Sequence, residues 1–339
     1  MNNPFFSIII PVYNGLTHDL PICLDSIWNQ PLDSSKYEVI CVDDCSTDDT
    51  RRWLDEEAAK HSNLRVIKHS VNKRQGGGKN TGVKAANGKY ILFIDQDDYY
   101  HQGAVLEIFN KLQTSDLDIL VTDYSIQYNG LKNNVPQGIY KNMDIMDGES
   151  FVRKNGNPNA PWRLVIKRDF YLHCQLSFQE LTRIEDVDWG VKVFFYAKRV
   201  QYSPIIAVNY VKSGKNTTEI LRKNKKVLKD WILGGVRTLD VANNLYINSQ
   251  ARYKIVGLAV AYFDYGIKYI FGINASVKQK LLLVDLVPSI EENSKLVKFV
   301  KRMPLLICIV SMFSPPFFRL LREYKHFKKS RKLKKSLSV

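Results

Sequence analysis

Over the first 121 residues, short apolar runs alternate with segments of helical periodicity, and this alternation admits few folds. The runs are Phe5–Ile10, Tyr37–Val42, Leu64–Lys68, Tyr90–Ile94 and Asp118–Val121. Between them lie His18–Trp28, Asp48–Lys60, Gly78–Ala86 and Gln102–Leu112. The first of these carries Pro21 near its start and places Leu20, Leu24, Ile27 and Trp28 on one helical face. The second follows Ser46 and Thr47, natural helix caps. Strands alternating with helices predict an α/β domain built on a mostly parallel sheet flanked by helices.

Residues 122–160 are polar and turn-rich and read as a variable, partly loop region. Short elements resume at Trp162–Lys167, a helix at Asp186–Ala197, and strands at Val200–Tyr202 and Ile205–Val211. From about Thr217 the periodicity is helical, in Leu228–Asn243, Arg252–Ile270, Val277–Leu286 and Ser294–Lys301. The expected division is a domain over 1–215, a helical region over 216–302, and an apolar segment with a basic tail over 303–339.

The most chemically pointed stretch is Asp95-Gln96-Asp97-Asp98, directly after the run Tyr90–Ile94. Side chains two apart on a strand share a face, so Asp95 and Asp97 are expected to face one point at a strand's C-terminal end. Two carboxylates there suit a divalent cation already carrying phosphate oxygens. Ligands of open α/β sheets collect outside the carboxyl ends of strands. A solvated acidic turn is the bland alternative, and the surrounding motifs weigh against it.

Ser7–Asn14 reads as a first strand that Pro11 ends, leaving the flat ring of Tyr13 at the sheet edge. The second strand ends in Asp43-Asp44, where a carboxylate can accept the imide N–H of a uracil. Gln75–Gly82 is glycine-rich and precedes a helix, an arrangement that favours anions. It matches neither the phosphate loop of kinases nor a dinucleotide fingerprint, because Asn80 follows Lys79 and no glycine motif follows the first strand. Arg183–Trp189 opens a helix with Glu185, Asp186 and Asp188; these acids offset a helix dipole, or one of them takes a proton from an attacking hydroxyl.

The net charge of +15 is unevenly placed. Residues 295–339 hold 13 Lys/Arg against Glu323 alone, while the preceding 294 residues are nearly balanced. A nucleic-acid-binding domain spreads its basic residues over a folded face, so no nucleic-acid partner is expected. A basic tail behind an uncharged stretch (303–318) suits an anionic membrane surface. Those 16 residues would span ~24 Å as a helix, short of the ~30 Å hydrocarbon core, and Pro315-Pro316 interrupts them. A segment lying on or dipping into one leaflet is therefore expected, the alternative being a core or dimer helix followed by a solvated tail. The start of the chain lacks a basic n-region and cleavage site, and the five scattered cysteines form no framework. The expected location is cytoplasmic, peripheral at the inner face of the cell membrane.

In order, IIIPVYN, VDDCSTDD, GGGKNTG, KYILFIDQDD, PWRLVIKR and RIEDVDW resemble the motifs of family 2 nucleotide-sugar glycosyltransferases of the GT-A fold, over roughly residues 5–215. The resemblance implies that Pro11, Tyr13 and Asp44 hold the nucleotide base and that Lys79 and Asn80 lie near the ribose or diphosphate. It implies Asp95 and Asp97 as the metal-binding pair for Mn²⁺ or Mg²⁺, with Asp97 the direct ligand. Asp186 would be the catalytic base, and Trp162, with Glu185, would stand on the acceptor side. The implied activity is inverting transfer from a nucleotide-sugar, of UDP type, to a glycan or lipid-linked acceptor. Lys79 stands where Arg is typical of the family, and Arg163 where Asn is frequent. From the residues alone, a metal-dependent nucleotidyltransferase and a non-enzymatic basic membrane-binding protein remain as alternatives.

Overall fold

The computed structural model describes residues 3–128, 131–133, 140, 143–158, 160–212, 225–270, 276–288, 298 and 301–302. The first four apolar runs become β1 (Phe6–Val12), β2 (Tyr37–Asp43), β3 (Leu64–Lys68) and β4 (Tyr90–Phe93), all paired in parallel. Every residue of β1 and β2 is buried, as expected of parallel strands covered on both faces. Helices α1 (Leu20–Trp28), α2 (Thr50–Lys60) and α3 (Arg74–Ala85) make the crossovers. The strands lie in the order β3-β2-β1-β4, so the winding reverses between β1 and β4. That reversal opens a crevice at the strand ends, the place where such sheets hold ligands.

Beyond β4 the sheet is mixed rather than mostly parallel. The later elements are β5 (Tyr99–Tyr100), α4 (Ala104–Gln113), β6 (Ile119–Tyr128), β7 (Leu131–Asn133), α5 (Gly148–Asn155), β8 (Leu164–Lys167), α6 (Arg168–His173), α7 (Val187–Tyr196) and β9 (Val200–Lys212). The full order is β3-β2-β1-β4-β8-β6-β9-β5, with β7 paired to β6. β8 enters antiparallel to both its neighbours, β6 and β9 run parallel, and β5 closes the edge antiparallel to β9.

Three sequence expectations change here. The stretch 122–160, expected to be partly loop with no element named in it, contains most of β6 and all of α5. Its strand was hidden because β6 buries polar residues that find partners inside the fold. Asp123 takes Arg163 Nη2 at 3.4 Å and the Tyr202 hydroxyl at 2.5 Å, and Ser125 donates to Asn209 Oδ1 at 2.6 Å. The two strands expected over 200–211 are the single β9, whose register against β6 shifts between Val121 and Tyr124. Pro11 does not end β1, which continues in register with β2 to Val12. The Ile9 carbonyl accepts from Ile94 and the Val12 carbonyl from Asp44. By alternation Pro11 therefore turns its donorless nitrogen toward the β4 flank, past the last β1–β4 pair, where no ladder bond is lost.

The glycine run is likewise not a loop before a helix: Gly76, Gly77, Gly78 and Gly82 lie within α3 and are buried. A Cβ at Gly82 would overlap Ile9, one at Gly78 would come within 2.9 Å of Pro11 Cβ, and one at Gly76 would strike the Gln179 carbonyl. The glycines let α3 sit close on β1, which brings Lys79 to the strand ends.

Two compact units divide the chain: Met1–Asn216 with Val241–Ile255, and Thr217–Asp240 with Val256–Val339. Unlike the contiguous division expected from sequence, Val241–Ile255 joins the first unit. Its Tyr246 hydroxyl donates to the Val191 carbonyl at 2.9 Å, and its ring meets Phe195 edge-on. The helices here are α8 (Lys225–Asn244), α9 (Arg252–Ile270) and α10 (Val277–Asp285). Within the second unit Trp231 stacks on Tyr262 and Tyr265, and Gly235 admits the Phe263 ring. Ser276 begins α10 with a reciprocal capping box to Gln279. Among the described residues no helix is long and apolar enough to cross a membrane. The apolar segment and basic tail expected at 303–339, and most of Ser294–Lys301, lie outside the described residues.

Candidate active site

The acidic motif leaves β4 as a tight turn: the Asp98 N–H donates to the Asp95 carbonyl at 3.1 Å. Strand alternation therefore does not set the directions of Asp95 and Asp97, since β4 ends at Phe93. The turn itself crowds the carboxylates. Burial, then the Asp95 charge, pushes the Asp97 carboxyl up to about 6. Burial raises Asp95 as well, with Lys79 opposing it. Asp98 is buried and held well above the usual carboxylate range by desolvation and by its two acidic neighbours. Its Oδ1 accepts the Val211 N–H at 2.9 Å, anchoring the end of β9, while its buried Oδ2 meets no partner among the described residues.

From α3, Lys79 projects into this cluster with only 2% of its surface exposed. Its Nζ lies 2.9 Å from Glu185 Oε1 and 3.9 Å from Asp95 Oδ1. Burial disfavours the ammonium, but Glu185 and Asp95 outweigh that cost and hold its pKa above the ordinary lysine value. Asp186, half-buried at the start of α7, is pushed up to about 7 by desolvation and then by Glu185, with Lys79 opposing. The structure thus gathers Lys79, Asp95, Glu185 and Asp186, drawn from three separate parts of the chain. Among the described residues no three carboxylate, imidazole or thiol groups converge into a closed metal cage. Asp95 and Asp97 could hold a divalent cation only as an open site, its other positions filled by phosphate oxygens or water.

Across the crevice, Gln96 accepts from the Tyr13 N–H and donates to the Tyr13 carbonyl, each at 2.9 Å. This amide staples the ends of β1 and β4 and leaves the Tyr13 ring 43% exposed. Asp44 sits beside it, its N–H on the Val12 carbonyl at 2.7 Å. Asp44 is only 3% exposed, and its Oδ1 accepts from His69 Nδ1 and from the Lys73 N–H, both at 2.7 Å. The other ring nitrogen of His69 meets Thr81 Oγ1 at 2.8 Å. Asp44 Oδ2 bonds to no described residue and is not among the sealed polar atoms.

One expected site residue points elsewhere. Asn80 faces away from the carboxylates: its amide donates to the Phe178 carbonyl and Glu180, and accepts the Phe178 N–H at 2.8 Å. It lines a cavity of about 490 Å³ with Tyr171, Leu176 and Glu180. Trp162 stacks on Tyr210 and meets Tyr124 edge-on, so it packs with β6 and β9. Its neighbour Arg163 is a buried cation, donating to the Thr122 carbonyl and paired with Asp123. Sequence reasoning missed Gln96, His69 and Thr81. The first stood inside the acidic motif and Thr81 inside the glycine-rich one, while His69 gave no signal beyond following a strand.

The sequence model of "Glycosyl transferase family 2" matches residues 7–171. A poly(ribitol-phosphate) beta-glucosyltransferase of Bacillus spizizenii is 38% identical over 149 residues, 42% of this chain and 23% of that protein. An uncharacterized glycosyltransferase of Bacillus subtilis, EpsJ, is 29% identical over 223 residues, 64% of each chain. The chain thus matches less than two thirds of the length of either relative. The fold of S. aureus TarS 1-349, solved in complex with UDP-GlcNAc, superimposes with a TM-score of 0.65 at 20% identity, covering 95% of this chain and 91% of that one.

Proposed function

The chain belongs to glycosyl transferase family 2 through residues 7–171, and we propose that it transfers a sugar from a UDP-sugar to a hydroxyl of a surface glycan, polyol-phosphate or lipid-linked acceptor, inverting the anomeric carbon. The observation that carries this reading is the meeting of Lys79, Asp95, Glu185 and Asp186 at the strand ends beside the β1–β4 reversal. Similarity to a poly(ribitol-phosphate) glucosyltransferase and to a protein solved with UDP-GlcNAc supports the donor and acceptor classes.

In this mechanism Tyr13 and Asp44 grip the base and Lys79 faces the diphosphate side of the cluster. Mn²⁺ or Mg²⁺, held by Asp95 and Asp97, would when bound neutralise charge on the leaving diphosphate. The acceptor oxygen attacks the anomeric carbon from the face opposite the diphosphate, and its proton passes to the Asp186 carboxylate. The bond between the anomeric carbon and the phosphate oxygen breaks, and the nucleoside diphosphate departs with the electron pair. A carboxylate with a pKa near 7 is matched to that proton transfer at neutral pH. Orientation at the strand ends supplies much of the remaining rate.

A donor screen tests the reading: nucleotide release from UDP-, GDP- and dTDP-sugars, with Mn²⁺ or Mg²⁺ and a polyol-phosphate or glycan acceptor. UDP release is expected, and no release from any donor would overturn the assignment. The basic stretch 319–339, with nine Lys/Arg, supports a peripheral position at the anionic inner face of the membrane. Removing 303–339 should then release the protein from anionic liposomes without changing UDP binding. A truncated protein that still sediments with them would sink that placement.

A further inference from the structure

We propose that Thr81, His69 and Asp44 form a hydrogen-bonded relay that aims Asp44 at the donor's base, making His69 the residue that selects bases with an imide N–H. This rests on the donor-binding reading above and adds to it a positioning role for His69, which lies outside every motif and outside the acidic cluster.

The relay is built from backbone outward. His69 follows β3; its N–H donates to the Asp43 carbonyl at 2.9 Å, and its own carbonyl accepts Arg51 Nη2 at 3.1 Å. Arg51 is in turn held by Asp43 Oδ2 at 2.7 Å. The imidazole is therefore fixed in place before any ligand arrives. An ionised carboxylate only accepts, so Nδ1 must carry the proton that meets Asp44 Oδ1. In the neutral ring Nε2 is then an acceptor, and the Thr81 hydroxyl supplies its donor.

With Oδ1 occupied by His69 and by the Lys73 N–H, the carboxylate cannot rotate without losing two hydrogen bonds. Oδ2 alone is left for a ligand, on a residue whose own N–H bonds Val12, the chain neighbour of the exposed Tyr13. An acceptor-only atom in a nearly dry setting pairs with the N–H between two carbonyls of uracil or thymine. It meets the bare ring nitrogen of cytosine lone pair to lone pair. A site built to hydrogen-bond one group rejects the analogue lacking it more strongly than a bulk or apolar difference would.

Calorimetric titration of UDP and CDP into the full chain, with Mn²⁺ present, tests this. Wild type should favour UDP by about tenfold or more, the scale of a hydrogen bond to a charged group. His69→Ala should lose about tenfold in UDP affinity with CDP little changed, collapsing the preference. Its KM for the UDP-sugar should rise while kcat at saturation stays within about threefold. His69→Asn keeps a donor near the Nδ1 position and should restore most of the preference, which a purely structural histidine would not do. If His69→Ala does not fold, Thr81→Val reads the same relay from its far end, with UDP affinity falling and CDP affinity not. A folded variant, His69→Ala or Thr81→Val, that keeps the wild-type UDP/CDP ratio overturns the relay while leaving the glycosyltransferase reading intact. A wild-type protein that binds no nucleoside diphosphate overturns both.

Discussion

Lys79 Nζ stands 2.9 Å from Glu185 Oε1, across 106 residues of chain, and both side chains are almost fully buried. A buried pair of this kind adds little over an apolar pair of the same shape, but breaking it strands a charge. Here the stranded charge would join Asp95 and Asp186, which already repel Glu185. Lys79→Met should therefore lose about 3–5 kcal/mol of unfolding free energy. The double variant with Glu185→Gln should recover a substantial part. Denaturant titration of the three variants closes the cycle, and purely additive losses would show that the pair does not interact.

Asp186 gives a pH dependence whose sign is opposite to that of a salt-bridged acid. Its folded pKa, about 7, lies above the ordinary aspartate value of 3.8. Below the lower value both states are protonated and the group contributes nothing. Between the two, the folded state binds more protons, so rising pH costs stability until the folded pKa is passed. Asp186→Asn should thus match wild type near pH 4 and be the more stable protein at pH 8, with thermal melts in chelator as the measurement. Transfer should behave inversely. Wild-type rate should rise with pH through an apparent value near 7 as the base form appears. The Asn variant should lose ~10²–10⁴-fold while still binding UDP. Near-normal turnover in a folded Asp186→Asn would move the base to Glu185 or Asp188.

Asp97 is expected to be the direct metal ligand of the acidic turn. Asp97→Ala should abolish the enhancement of UDP binding by Mn²⁺, while metal-free UDP binding, proposed above for Tyr13 and Asp44, should change little. Calorimetry with and without Mn²⁺ decides it: a variant that keeps the wild-type enhancement assigns the metal elsewhere.

How far the chain could be read in advance depended on whether a residue's partner was close in sequence. The strands β2, β3 and β4 were legible within a residue: largely apolar runs mark β2 and β4, which are buried throughout, and Leu64, Val66 and Ile67 mark the partly buried edge strand β3. The second half of β6 was not, because Asp123 and Ser125 look like loop residues until Arg163, Tyr202 and Asn209 arrive from 40 to 84 positions away. Arg163, unusual for the family motif, is explained by that buried carboxylate rather than by any ligand. The residues at the strand ends were nameable because each ends a recognisable strand or opens a helix. Asn80 was misplaced for the opposite reason: on a helix the facing direction depends on which neighbour the glycines admit. Gly78 and Gly82 turn toward β1 and leave Asn80 to Phe178.

The same glycine argument gives a paired prediction with opposite signs. Gly82 in α3 and Gly257 in α9 both lie in helices, where alanine is favoured over glycine by about 0.8–1 kcal/mol. At Gly82 an added Cβ overlaps Ile9, which is wholly buried in β1. Overpacking of that kind costs about 1–3 kcal/mol, enough to exceed the propensity gain. At Gly257 an added Cβ meets nothing within 4 Å, so only the propensity remains. Gly82→Ala should therefore lower the denaturant midpoint, and Gly257→Ala should raise it, with m-values unchanged. Pairing Gly82→Ala with Ile9→Ala removes the overlapping methyl, so the double variant should lose less than the sum of the two single losses. If Gly82→Ala proves as stabilising as Gly257→Ala, α3 does not pack on β1 at the distance described, and the route by which Lys79 reaches the strand ends would have to be redrawn.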